Sequence, residues 1–113
     1  MLNYQTPLDL AFQALADPAR RSIVERLTTG TASVSELAKP LPMSLPAVML
    51  HLKVLEDSGL IKSEKVGRVR TCRIEVQPLS QAERWITERR QRWERNLDRL
   101  GAFLDDTKAE REP

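Results

Sequence analysis

The chain carries one histidine, His51, and one cysteine, Cys72, so the side-chain chemistry open to it is narrow. A lone thiol builds neither a disulfide framework nor a four-thiolate zinc site. His51 has no cysteine, second histidine or paired carboxylate at ligand spacing, so neither a metal nor any other cofactor is expected. There is no Ser-His-Asp set in a supporting context, no glycine-rich phosphate loop and no acid pair in an apolar pocket. The four glycines are scattered. The sequence therefore reads as no enzyme. His51 reads as a structural or phosphate-contacting residue. Cys72 alternates in phase with Ile74 and Val76, which points it at a core as an inert thiol. Its neighbours Arg70 and Arg73 leave a redox-sensing reading open.

What remains is charge. Eighteen basic residues against sixteen acidic ones give a net charge of +2, but they are unevenly placed. Between Ile61 and Arg73, Lys62, Lys65, Arg68, Arg70 and Arg73 face a single acid, Glu64, a local +4. A compact basic segment on a nearly neutral chain points to a directed contact with a polyanion. Lys65, Arg68 and Arg70 are its strongest candidates. Arg89, Arg90, Arg92, Arg95 and Arg99 are interleaved with Glu88, Glu94 and Asp98 and read as a solvated, ion-paired helix face. Arg20 and Arg21 open a helix, where the dipole disfavours them, and read as either a contact or solubility.

These residues need elements to hold them. A chain of 113 residues, 41% hydrophobic, supports one core and is not disordered. No apolar run approaches the roughly 20 residues that cross a bilayer, so no membrane partner is expected. The opening MLNYQTPLDL lacks a basic cluster before an apolar stretch, so no secretory signal is expected. A cytoplasmic location follows by default. Leu8, Ala11, Phe12 and Leu15 form a helical stripe. Asp17-Pro18 caps and opens a second helix with Ala19, Ile23, Val24 and Leu27 inward, stopped by Thr28-Thr29-Gly30. Ser33-Val34-Ser35-Glu36 is a capping box for a short helix to about Lys39, ended by Pro40 and Pro42. Ser44 caps the next helix, Pro46 sits in its first turn, and Val48, Leu52 and Leu55 face inward up to Ser58-Gly59. Leu60–Val66 and the alternating Cys72-Ile74-Val76 segment make a hairpin turning at Gly67 with a basic tip. Pro78-Leu79-Ser80 ends it, and a long helix follows from about Leu79 to Leu104.

The predicted fold is mainly α with a small β-hairpin: a winged helix-turn-helix of about five helices and a two-stranded wing. Residues 1–104 are expected as a single winged-helix domain, with residues 105–113 a disordered tail.

The segments ALADPARRSIVERL (Ala14 to Leu27) and SELAKPLPMSLPAVMLHLKVLEDSGLIKSEKVGR (Ser35 to Arg68) carry a resemblance to the ArsR/SmtB-type winged-helix repressors. His51-Leu52-Lys53-Val54-Leu55 with Ser58-Gly59-Leu60-Ile61 is its most characteristic part, and the likeness spans about residues 8 to 104. It implies a homodimeric, sequence-specific DNA-binding repressor on an inverted-repeat operator of double-stranded DNA. The helix capped by Ser44 would be the recognition helix, and the hairpin a wing near the minor groove or backbone. Ser44, Leu45, Pro46, Ala47 and Met49 are then the groove-facing candidates, with His51 and Lys53 beside them and Lys65, Arg68 and Arg70 on the wing. For Leu50, burial in a core or dimer is as good a reading. The first and last helices would build the dimer through Leu8, Phe12, Leu79, Ile86, Trp93, Leu97 and Leu100.

The chain departs from that family twice. Metal-sensing members carry a Glu-Leu-Cys-Val-Cys-Asp type of segment in the short helix, where this chain has Ser35-Glu36-Leu37-Ala38-Lys39. Others place Asp and His ligands in the last helix, which here has no histidine. Metal sensing is not carried over. Second, Met49-Leu50 replaces the polar Ser-Lys or Ser-Arg pair common before the His-Leu, so Ala47 and Met49 would read thymine methyls instead. The same apolar pair supports an alternative, a winged-helix module that docks on another protein and touches DNA weakly or not at all. An unknown small apolar effector near Phe12, Trp85 or Trp93 is a further expected partner, from aromatic placement alone.

Overall fold

Four side chains set four helix starts. In the computed structural model, which describes residues 6–111, Thr6 caps α1 (Pro7–Leu15) by accepting from the Asp9 N–H at 3.2 Å. Asp17 caps α2 (Pro18–Leu27), its Oδ1 accepting from the N–H of Ala19 at 2.8 Å and of Arg20 at 3.2 Å. These bonds, that from Arg20 foremost, hold the Asp17 carboxyl below the usual aspartate range. After strand β1 (Ala32–Ser33), Ser33 caps α3 (Val34–Ala38) by accepting from the Glu36 N–H at 3.2 Å. The Ser33 hydroxyl also lies 3.2 Å from Glu36 Oε1, and the other Glu36 oxygen meets Arg26 at 3.4 Å. Ser44 caps α4 (Leu45–Asp57), accepting from the Ala47 N–H at 3.3 Å. A satisfied cap is worth about 1 kcal/mol, so each start is fixed locally.

The hairpin is β2 (Ile61–Val66) and β3 (Val69–Ile74), antiparallel with Ile61 opposite Ile74 and Val66 opposite Val69. Gly67 turns it at φ 64°, and Gly59 ends α4 at φ 80°, both left-handed positions that favour glycine. The hairpin is the predicted two-stranded wing, and a third strand that the sequence reading does not include joins its root. β1 adds to the far side of β3, with Ala32 opposite Cys72 and Ser33 opposite Thr71, giving the order β1-β3-β2.

The last helix, α5 (Val76–Arg111), corrects the predicted boundaries at both ends. Val76 is not a strand residue but opens this helix. Pro78 does not end the hairpin from outside; it sits in the first turn of α5, where its missing N–H breaks nothing. Residues 105–111 of the expected disordered tail are helical. The opening MLNYQ, read as lacking a secretory signal, and the last two tail residues lie outside the described residues. The chain groups into two units, one reaching to Ala82 and one from Glu83. Within the first, Ile23, Leu27, Leu37, Val48, Leu55, Leu60, Ile61 and Cys72 are buried together as the core. Among the described residues, no helix is long and apolar enough to cross a membrane.

Candidate nucleic-acid interface

The core decides which side of α4 faces out. Val48, Leu52 and Leu55 are buried, and their spacing presents the opposite face to solvent. That face is apolar: Leu45 is 57% exposed and Leu50 67%, with Met49 and Val54 exposed beside them. The exposure of Leu50 removes it from this chain's core. Ser44, Pro46 and Lys53 are also exposed, and Ala47 is half-buried. Lys53 pairs with Asp57 at 3.3 Å across one exposed turn, a contact worth a few tenths of a kcal/mol and easily exchanged for a phosphate.

His51 is half-buried and held from α2. Arg20 Nη1 lies 3.3 Å from His51 Nδ1. A guanidinium only donates, so Nδ1 accepts and a neutral ring carries its proton on Nε2. The same Arg20 donates through Nε to the Ala14 carbonyl at 2.8 Å and through Nη2 to the Gln13 carbonyl at 3.0 Å. Arg21 donates to the Leu15 carbonyl at 2.8 Å. Both arginines therefore satisfy carbonyls left open at the end of α1. The sequence reading offered contact or solubility and missed this role.

The wing separates its cations. Lys65 and Arg68 are exposed, and among the described residues neither forms an ion pair. Arg70 folds back. Its Nη2 meets Glu56 Oε1 at 3.0 Å and Oε2 at 3.2 Å, and its Nε donates to Ser63 Oγ at 2.9 Å. Ser63 in turn donates to Glu56 Oε1 at 2.6 Å. Arg70, grouped with Lys65 and Arg68 in the sequence reading as a DNA-contacting wing cation, is thus tied to the last turns of α4. Glu56 and Ser63 were missed. The signal was present, since Arg70 is in phase with Cys72 and Ile74 and so lies on the inward face of the hairpin. Arg73, in the opposite phase, pairs with Glu75 at 3.2 Å. Cys72 is fully buried, and burial, helped by Glu56 and opposed by Arg70, pushes its thiol pKa up. Both burial and the raised pKa work against the thiolate a redox sensor needs.

α4 and the hairpin jointly wall an open hollow of about 630 Å³, lined by Pro46, Met49, Leu50, Leu52, Lys53, Glu56 and Arg70. It brings the apolar face of α4, the Lys53 ammonium and the Arg70–Glu56 pair to one place. Among the described residues, no three His, Cys, Asp or Glu side chains come together.

On the second unit, Ile86, Trp93, Leu97, Leu100 and Leu104 are exposed, and helical spacing lines them up as one stripe. Trp85 lies off it, with the Arg89 guanidinium 4.4 Å over its ring. Of the expected surface pairs, Arg89–Glu88 at 3.3 Å and Arg90–Glu94 at 3.7 Å form. Leu79, predicted at a dimer seam, is half-buried and packs against the core of the first unit. Leu8 and Phe12 on α1 are half-buried.

Known proteins share this arrangement. The helix-turn-helix domain family matches residues 15–64. The HTH-type transcriptional regulator Rv2034 of Mycobacterium tuberculosis is 40% identical over 105 residues, spanning 93% of this chain and 94% of that one. The transcriptional repressor SdpR of Bacillus subtilis is 25% identical over 75 residues, 66% of this chain and 83% of its own. The crystal structure of an ArsR family transcriptional regulator, RHA00566, superposes with a TM-score of 0.76 at 53% identity, covering 79% of this chain and 98% of that one.

Proposed function

Because the chain belongs to the ArsR/SmtB-type family of winged helix-turn-helix transcriptional regulators, we propose that it is a homodimeric repressor reading an inverted-repeat operator in the cytoplasm. α4 enters the major groove by its N-terminal half, and the wing tip holds the flanking backbone. The observation that carries this reading is the hollow shared by α4 and the hairpin. It sets the exposed outer face of the helix beside a hairpin whose tip cations, Lys65 and Arg68, are unpaired.

Each part has a role. Ser44 fixes the start of α4 by accepting from the Ala47 N–H, and its exposed hydroxyl donates its own hydrogen to a phosphate. Ala47 and Met49 offer small and soft apolar contacts that suit a thymine methyl. Lys53, Lys65 and Arg68 neutralise phosphates, which positions the protein without reading sequence. One such helix reads few base pairs, so two copies on half-sites about 10 base pairs apart supply specificity. The exposed stripe on α5 is one surface for a second copy, and Leu8 and Phe12 on α1 are, separately, another. Metal sensing is not part of this proposal, because α3 has no thiol and α5 no histidine.

The docking-module alternative rests on Met49-Leu50 alone and is not favoured, since close relatives over nearly the whole chain are transcriptional regulators. Selection from a random duplex pool at low and near-physiological salt tests the choice. Enrichment of an inverted repeat that survives the higher salt is the expected result. Binding without sequence preference that vanishes with salt would reject the operator reading.

A further inference from the structure

The wing brings three cations to its outer half, and only one of them is engaged. Lys65 and Arg70 stand directly opposite each other in the β2–β3 register, on the face that also carries Ser63 and Cys72. Two like charges at such a position repel. Glu56, reaching up from α4, accepts two bonds from Arg70 and one from Ser63. Its carboxylate therefore cancels the repulsion and joins both strands of the hairpin to the recognition helix. Both partners are partly covered, with side-chain exposures of 46% for Arg70 and 27% for Glu56. A forked, serine-bridged pair of this kind holds geometry in a way that a single exposed ion pair does not.

Resting on the DNA-binding reading above, we infer that Arg70 is a positioning residue that fixes the wing to α4 through Glu56 and Ser63 and does not neutralise a DNA phosphate. Nε and Nη2 of this guanidinium are committed to Ser63 and Glu56, which leaves Nη1 to reach a phosphate and the charge already matched by a carboxylate. Releasing it would leave Glu56 facing the polyanion. Lys65 and Arg68 then make the wing's phosphate contacts, and Arg70 sets where they land.

The test is the salt dependence of binding to the selected operator duplex, for the full chain and its variants. Each phosphate contact contributes about 0.9 to the slope of log affinity against log salt. Arg68→Ala, the control, lowers the slope by about that much per protomer. Arg70→Gln and Glu56→Gln each weaken binding several-fold with the slope unchanged, and the double variant is no worse than either single one. Arg70→Lys keeps the charge but loses the fork, so it behaves like Arg70→Gln. A slope reduced in Arg70→Gln with Arg70→Lys near wild type would overturn the inference, as would tighter binding by Glu56→Gln. Failure of the wild-type chain to enrich or bind any duplex would reject the DNA reading itself, an outcome separable from these because it needs no variant.

Discussion

Replacing Ala47 with glutamate separates folding from DNA binding in one step. Ala47 is the third residue of α4, and its N–H already bonds the Ser44 hydroxyl at 3.3 Å. Glutamate there completes a Ser-x-x-Glu capping box and places a negative charge at the positive end of the helix dipole. Each effect is stabilising by about 0.3–1 kcal/mol, so thermal stability holds or rises. The same carboxylate faces the polyanion. At about 6 Å from a phosphate, its repulsion is roughly 0.7 kcal/mol in bulk water and 3 kcal/mol at the effective dielectric of a protein surface. Two half-sites double that to roughly 1.4–6 kcal/mol, a loss of about ten-fold to 10⁴-fold in affinity. Fluorescence anisotropy with the selected duplex reads the affinity, a thermal melt reads stability, and sedimentation reads the dimer. Ala47→Gln supplies the bulk without the charge and falls between wild type and Ala47→Glu. Operator affinity within about threefold of wild type in Ala47→Glu would show that another surface enters the groove.

Three further outcomes follow from the packing. Leu97→Glu on the α5 stripe weakens the dimer by about 2–4 kcal/mol through an unpaired buried charge, and sedimentation equilibrium checks this; an unchanged dimer would move the seam elsewhere. Leu55→Ala at a fully buried core position costs about 2–5 kcal/mol and lowers Tm by roughly 10–30 °C, read by calorimetry. Cys72 resists alkylation at neutral pH until the chain is denatured. Its thiol pKa is raised on folding, so stability is full below the ordinary thiol range and falls as pH rises above it; rapid labelling of the native protein would contradict the burial account.

The parts of the fold legible in the sequence are those decided within a few residues. Asp17, Ser33 and Ser44 announce their helices because a cap is a local bond. The inward faces of α2 and α4 follow from spacing alone. What escaped depends on partners far along the chain. β1 is only two residues long and exists because β3 runs beside it. The start of α5 was obscured because Val76 continues the strand's alternation while Pro78 suits both a strand end and a helix start. The helical extension past Leu104 follows propensity, since Lys, Glu and Arg are good helix formers, which a reading of local charge passes over. At the interface, the faces of α4 were legible, but the partners of the arginines were not. Arg20 reaches carbonyls of the preceding helix and Arg70 reaches a carboxylate fourteen residues upstream. Spacing says where an arginine starts, and only the fold says where its guanidinium ends.

The three-stranded root of the wing has a mechanical consequence. Ser33 closes the β1–β3 pairing and in the same position caps α3, so the sheet's base and the start of the helix-turn-helix share one residue. Beyond Glu64 the hairpin has only two strands, and Val66, Gly67 and Val69 at its end are exposed. The wing is therefore a cantilever with two clamps, β1 at its root and Glu56 on Arg70 further out, and its overhang is the short turn of residues 66–69. On the DNA-binding reading proposed above, only that overhang is left to adjust to groove width.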